Sequence, residues 1–125
     1  MGPPATTIAP WLAVRDAQEA LDFYRAAFGA VEMDRLDDDE GKPAVARLSI
    51  DGATFWIQDD VDASPVAPGV GSVRMVLSVE DPDALFDRAV GAGATSVAPV
   101  HEEHGWRTGR VTDPFGHDWE FSKQL

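Results

Sequence analysis

The chain has 125 residues, 44% of them hydrophobic, and no cysteine. That length fits one domain with a sizeable core, and the missing cysteines exclude disulfides, thiolate metal sites and a cysteine nucleophile. The formal net charge of −12 repels nucleic-acid phosphates and anionic membranes and favours a cationic or neutral small molecule. No apolar run approaches the ~20 residues of a membrane helix. The N-terminal MGPPATTIAPW lacks the basic and apolar regions of a signal peptide, so a cytoplasmic protein is expected. MGPPAT fits the loose myristoylation pattern, but its prolines and the lack of a second anchor argue against it.

In chain order, 8–14 reads as an extended apolar strand. Asp16 caps a helix over 17–28, with Glu19 three residues on as in a capping box and Gly29 as the stop. Ala20, Leu21, Tyr24 and Phe28 fall on one face of that helix. Strands follow near 30–36, 44–50 and 54–58, with the acidic LDDDE as a solvated tip and Asp51-Gly52 as a hairpin turn. Residues 59–71, rich in Asp, Pro and Gly, read as a linker. The second half restarts with a strand over 72–79, Asp81 and Pro82 open a second helix, and strands follow near 96–100, 108–112 and 119–122. HEEH and HGWRTG read as loops, and Asp113-Pro114-Phe115-Gly116 as a turn.

The two halves repeat. Val14, Asp16, Ala20, Leu21, Gly29 and Ala30 meet Val79, Asp81, Ala84, Leu85, Gly93 and Ala94 at an offset of 64 or 65. Each half is βαβββ. The predicted fold is α+β, with two such modules (about 8–58 and 72–123) in a curved, mainly antiparallel mixed sheet around a central cleft, helices on the outer face.

Three stretches, LAVRDAQEALDFYRAAFGA, MVLSVEDPDALFDRAVGAGA and GRVTDPFGHDWEF, resemble the vicinal oxygen chelate superfamily of glyoxalases, extradiol dioxygenases, and fosfomycin and bleomycin resistance proteins. The pattern is specific for the fold and not for a reaction. The resemblance implies four metal-ligand positions, two per half. They fall here at Ala9, at or beside Trp56 (with Gln58 the nearest substitute), at Arg74 and at Glu120. Only Glu120 is a usual ligand, and catalytic divalent ions commonly need three. The expectation is therefore no metal and no other cofactor, with an Arg74–Glu120 ion pair where metal-dependent members hold their ion.

Strand alternation and family position put Trp11, Ala13, Arg47, Ser49, Trp56, Gln58, Arg74, Val76, Ser78 and Glu120 on the concave face. Leu12, Val14, Leu48, Ile50, Phe55, Ile57, Met75, Leu77 and Trp119 go beneath the helices. Trp11, Trp56 and the loop residue Trp106 could stack on a flat or cationic ring, and Arg47, Arg74 and Arg107 could hold a carboxylate or phosphate. There is no G-x-S-x-G, no phosphate-binding glycine loop and no basic, aromatic-interleaved patch.

Two functions stay open. One is a metal-free protein of the bleomycin resistance type, sequestering a drug or metabolite in a Trp/Arg-lined cleft, as in antibiotic resistance. The resemblance implies a homodimer with grooves at its interface. The other is a metal-dependent lyase, isomerase or dioxygenase holding Mn, Fe, Ni or Zn through atypical ligands such as His104 and Glu120. Glu120, beside Arg74, is also the candidate acid–base group of a metal-free catalyst.

Overall fold

Two aspartates start the two helices. Asp16 accepts a hydrogen bond from the Glu19 amide (3.1 Å) and opens α1, Ala17–Phe28, which ends at Gly29 in a left-handed conformation (φ +68°). The carboxylate of Glu19 turns to Arg15 (3.2 Å) rather than back to the cap, so the capping box is half-formed. Asp81 does the same for α2, Pro82–Ala92, accepting from the Ala84 amide (3.1 Å). The computed structural model describes residue 2 and residues 4–64, 69 and 71–125. Met1 and Pro3 of the MGPPAT pattern, and positions 65–68 and 70 of the predicted linker, lie outside the described residues.

Eight strands accompany the helices: β1 Trp11–Val14, β2 Val31–Asp37, β3 Pro43–Ile50, β4 Ala53–Asp59, β5 Arg74–Ser78, β6 Thr95–Glu103, β7 Trp106–Thr112 and β8 Asp118–Gln124. They form two four-stranded sheets of the same order, β1-β4-β3-β2 and β5-β8-β7-β6. In each, the first strand runs parallel to the last (Trp11 opposite Trp56, Val76 opposite Glu120) and the other pairings are antiparallel. The internal repeat is thus a repeat of topology, and the sheets stay open rather than closing into a barrel. Among the described residues no helix is long and apolar enough to cross a membrane.

Three local readings need correction. Residues 8–10 precede β1, and Ile8 is exposed because nothing pairs with it there. HEEH is largely strand: His101, Glu102 and Glu103 finish β6, paired with Thr108, Arg107 and Trp106. Trp106 begins β7 rather than sitting in a loop. The turn between them is His104-Gly105, both at positive φ, the conformation a two-residue hairpin requires; Asp51-Gly52 does the same between β3 and β4.

One core lies between the helices and both sheets. The strand residues expected there, Leu12, Val14, Leu48, Ile50, Phe55, Ile57 and Trp119, are buried, and Met75 and Leu77 pack partly buried against them. From α1, Phe28 meets Trp119 (4.8 Å between ring centroids) and Phe121 (5.8 Å), so the first helix packs on the second sheet as well as its own. Gly109 in β7 lets α2 approach, since a Cβ there would lie 2.7 Å from Val100 and 3.1 Å from Phe86.

A polar tie also joins the modules. Asp113, buried in the β7–β8 turn, accepts at Oδ1 from the amides of Phe115 (2.9 Å) and His117 (3.0 Å). At Oδ2 it accepts from the Tyr24 hydroxyl (2.5 Å) and the Trp119 indole (2.9 Å). Burial, and then the Asp113 charge, push the Tyr24 hydroxyl well above its ordinary value, so it stays a donor. Tyr24→Phe leaves Oδ2 with one donor fewer and is expected to cost about 1–3 kcal/mol in urea unfolding. Tyr24 is the only tyrosine, so phenolate absorbance reports it alone. Its raised folded-state pKa contributes stability that is whole below the unfolded value of about 10 and is lost as pH rises through the folded value. Phenolate should therefore form only with unfolding, and the stability difference between wild type and Tyr24→Phe should narrow above about pH 10.

Candidate functional site

On the first sheet the open face is aromatic. Trp11 and Trp56, opposite each other on β1 and β4, stack at 5.6 Å with 23° between ring planes. The Trp11 indole donates to Gln58 Oε1 (2.9 Å). The Arg47 guanidinium from β3 lies over the Trp56 ring at 5.7 Å and pairs with Asp34 of β2 at 2.6 Å. Arg47 Nε is buried without a hydrogen-bond partner among the described residues. Trp11 keeps 53% of its surface exposed, a large aromatic area left to water. Alternation explains the grouping: these side chains share the face opposite Leu12, Phe55 and Ile57, which the helices cover.

On the second sheet the open face is charged. Arg74 Nε lies 3.1 Å from Glu120 Oε1, as the ion-pair reading anticipates. The other oxygen, Oε2, accepts from Ser122 (3.0 Å), and Ser122 meets the Thr108 hydroxyl (3.0 Å). The glutamate is the more buried partner, its side chain 17% exposed against 51% for Arg74. A cavity of about 370 Å³ opens above this pair, walled by Arg74, Val76, Ser78, Glu103, His104, Trp106, Thr108, Glu120 and Ser122.

The expected lining therefore divides in two. Trp11, Arg47, Trp56 and Gln58 come together on the first sheet, and Arg74, Trp106 and Glu120 on the second. The cavities over the second sheet include none of the first group. Arg107 joins neither. It faces α2, where its Nε and Nη2 each lie 2.6 Å from an Asp83 carboxylate oxygen. Alternation along β7 puts Trp106, Thr108, Arg110 and Thr112 on the open face and Arg107, Gly109 and Val111 against the helix. The basic residue that the open face receives from β7 is Arg110, and the alternation in WRTGRVT carries that signal once Trp106 is placed in the strand.

The donor set fits a divalent ion poorly. Of the four superfamily positions, Ala9 lies outside any strand, Trp56 is stacked on Trp11, and Arg74 neutralises Glu120. Among the described residues no three His, Asp or Glu side chains gather as ligands. His104 shares the 370 Å³ cavity with Glu120. His101 Nδ1 donates to Pro99 O (2.9 Å), and Nε2 pairs with Glu103 at 3.4 Å. The Pro99 bond, with Glu103 adding to it, raises its pKa. His117 turns away to the Ala13 carbonyl (2.8 Å).

The family description Glyoxalase/Bleomycin resistance protein/Dioxygenase superfamily matches residues 5–121. The chain belongs to this superfamily. It is 41% identical to an uncharacterized protein of Mycobacterium bovis, over 94% of this chain and 83% of that one. It is 34% identical to an uncharacterized protein of Arabidopsis thaliana, over 85% of this chain and 70% of that one. Among solved structures, TioX from Micromonospora sp. ML1 matches with a TM-score of 0.74 at 27% identity, covering 96% of this chain and 97% of TioX. The fosfomycin resistance protein FosX from Listeria monocytogenes matches with a TM-score of 0.75 at 17% identity, covering 98% and 95%, and shows the shared fold.

The Arg107–Asp83 fork gives a pH test. The Arg107 hydrogen bond holds the Asp83 carboxyl below its ordinary value. A depressed carboxylate contributes stability that is present above its unfolded value, near 3.9, and lost as pH falls through the folded value. Arg107→Ala should lower the melting temperature at pH 7, with the difference shrinking in acid below about pH 4, and should leave ligand titrations unchanged. Thermal melts at several pH values check this.

Proposed function

We propose that this superfamily member is a small-molecule binding protein that works without a metal. It holds a flat, aromatic ligand between the Trp11–Trp56–Arg47 face of one protomer and the Arg74–Glu120–Trp106 face of a second copy. The carrying observation is the Arg74–Glu120 pair. The carboxylate at the superfamily's last-strand ligand position is engaged by a fixed guanidinium, which leaves it a poor metal ligand. Two further observations support the reading. Trp11 of the stacked pair is exposed, with Trp56 half-buried beneath it, although aromatic surface favours burial. The cavities over the second sheet are not lined by Trp11, Arg47, Trp56 or Gln58, which favours a partner copy for a ligand that uses both faces.

Tryptophan fluorescence titrated with a planar aromatic cation such as an acridine, and with a neutral analogue, tests this reading. Trp56→Ala should weaken binding roughly tenfold, the worth of one stacking contact, with little change in melting temperature. A collapse in stability would make Trp56 a core residue instead. Sedimentation should give a dimer at micromolar concentration; a monomer removes the shared-groove arrangement. Metal analysis of protein purified without chelator should give far less than one ion per chain. Retention of about one Mn, Fe, Ni or Zn per chain would favour the lyase, isomerase or dioxygenase reading and direct mutation to His104 and Glu120.

A further inference from the structure

Twenty-two acidic residues outnumber ten basic ones, so partners for cations are abundant. Among the described residues, Arg15, Arg25, Arg35, Lys42, Arg47, Arg74, Arg107 and Lys123 all pair with carboxylates. Arg88 donates to the carbonyls of Ala26 (2.7 Å) and Arg25 at the end of α1. Arg110 alone has neither an ion pair nor a hydrogen bond there, and it is partly buried rather than free in solvent. An unpaired guanidinium in such a place forgoes stabilisation that a neighbouring acid could readily supply.

The neighbouring acids are already engaged. Glu120 stands directly across from Arg110 in the sheet, close enough for the side chains to meet. Its oxygens are held by Arg74 and Ser122. Glu103 is turned to His101, and Asp118 accepts from Thr112 at 2.6 Å. Arg110 instead borders a cavity of about 460 Å³ shared with Arg74, His101, Glu103, Thr108 and Glu120. That cavity adjoins the 370 Å³ one, with Arg74, Glu103, Thr108 and Glu120 in both walls. The fixed charges around it are Arg74, Arg110, Glu103 and Glu120, with His101 titratable, so the site is far less acidic than the molecule as a whole.

We propose that Arg110 receives an oxyanion, a carboxylate or phosphate group, of the small molecule this cleft binds. The inference rests on the binding-protein reading and sharpens its ligand class: a flat molecule carrying an acid group, rather than the cation that net charge alone suggests. A guanidinium presents a planar fork of donors that matches such a group at two points. The protein's overall negative charge would disfavour anions without this contact, so Arg110 acts as the element that admits an acid.

The test is a ¹⁵N NMR titration in which the Arg110 Nε–Hε signal is identified by its loss in Arg110→Lys. Sodium benzoate, inorganic phosphate and the neutral isostere benzamide are added at constant ionic strength. A saturable shift of the Arg110 signal with benzoate or phosphate, and none with benzamide, is the expected result. The relative response to benzoate and phosphate distinguishes the two acid groups. Arg110→Lys and Arg110→Gln should weaken anion binding at least tenfold while melting within a few degrees of wild type. No saturable response to either anion, or equal drift of all arginine signals, overturns the proposal. So does an Arg110→Gln protein that becomes monomeric while keeping wild-type anion binding, because the partner's own carboxylate would then be the occupant. Failure of the binding-protein reading appears separately, as tryptophan fluorescence that no neutral aromatic compound changes.

Discussion

A single buried carboxylate, that of Asp113, joins the two modules. Its two oxygens take four donors: two amides of its own turn, an indole from β8 and a phenol from α1. A buried charge is tolerable only when fully hydrogen-bonded, and this one is satisfied only if α1 lies against the β7–β8 hairpin. The aromatic cluster of Tyr24, Phe28, Phe55 and Trp119 supplies the apolar burial around it, but burial is non-directional. The hydrogen bonds give the contact its register. Trp119 donates to Asp113 and neighbours Glu120, so the same lock that joins the modules places the last-strand carboxylate on the open face.

From that placement the charges of the second sheet follow. Glu120 needs a cation because it is largely covered, and Arg74, two residues before the Val76 that lies across from it on the parallel strand, reaches it. Once Glu120 is committed to Arg74 and Ser122, Arg110 is left without an internal acid. The first sheet holds its own arginine differently: Arg47 is fastened to Asp34 and flattened over Trp56. The two open faces thus have separate chemistry, one stacking and one ionic. Their shared topology does not make them equivalent, because the repeat preserves backbone order and core positions while the open-face residues differ.

The superfamily fold was legible because it rests on short-range signals. Asp16 and Asp81 cap, Gly29 and Gly93 stop, and period-two alternation sorts Leu48, Phe55 and Ile57 from Arg47 and Trp56. Such signals fail where pairing partners decide. His101 to Glu103 looked like loop because charged residues dominate, yet they lie along β7 and gain ladder hydrogen bonds. With that hairpin read as loop, Trp106 and Arg107 fall outside β7; with Trp106 opening the strand, Arg107 faces α2 and Arg110, three residues on, faces the open side.

By itself the sequence determined the two βαβββ modules, the caps and stops of the helices and the buried faces of β1, β3, β4 and β5, while the pairing of Arg74 with Glu120 followed from the positions that the family resemblance implies. Caps, turns and alternation act over a few residues, and the repeat carries equivalent positions from one half to the other. Only the tertiary structure decided that the Trp11–Trp56 and Arg74–Glu120 groups stand on separate open faces, that Asp113 binds Tyr24 across 89 residues of chain, and that Arg110 alone lacks a partner among the described residues. The first depends on how the strands divide into two sheets, and the other two on which distant groups compete for the same carboxylate; both exist only once the sheets and helices have packed.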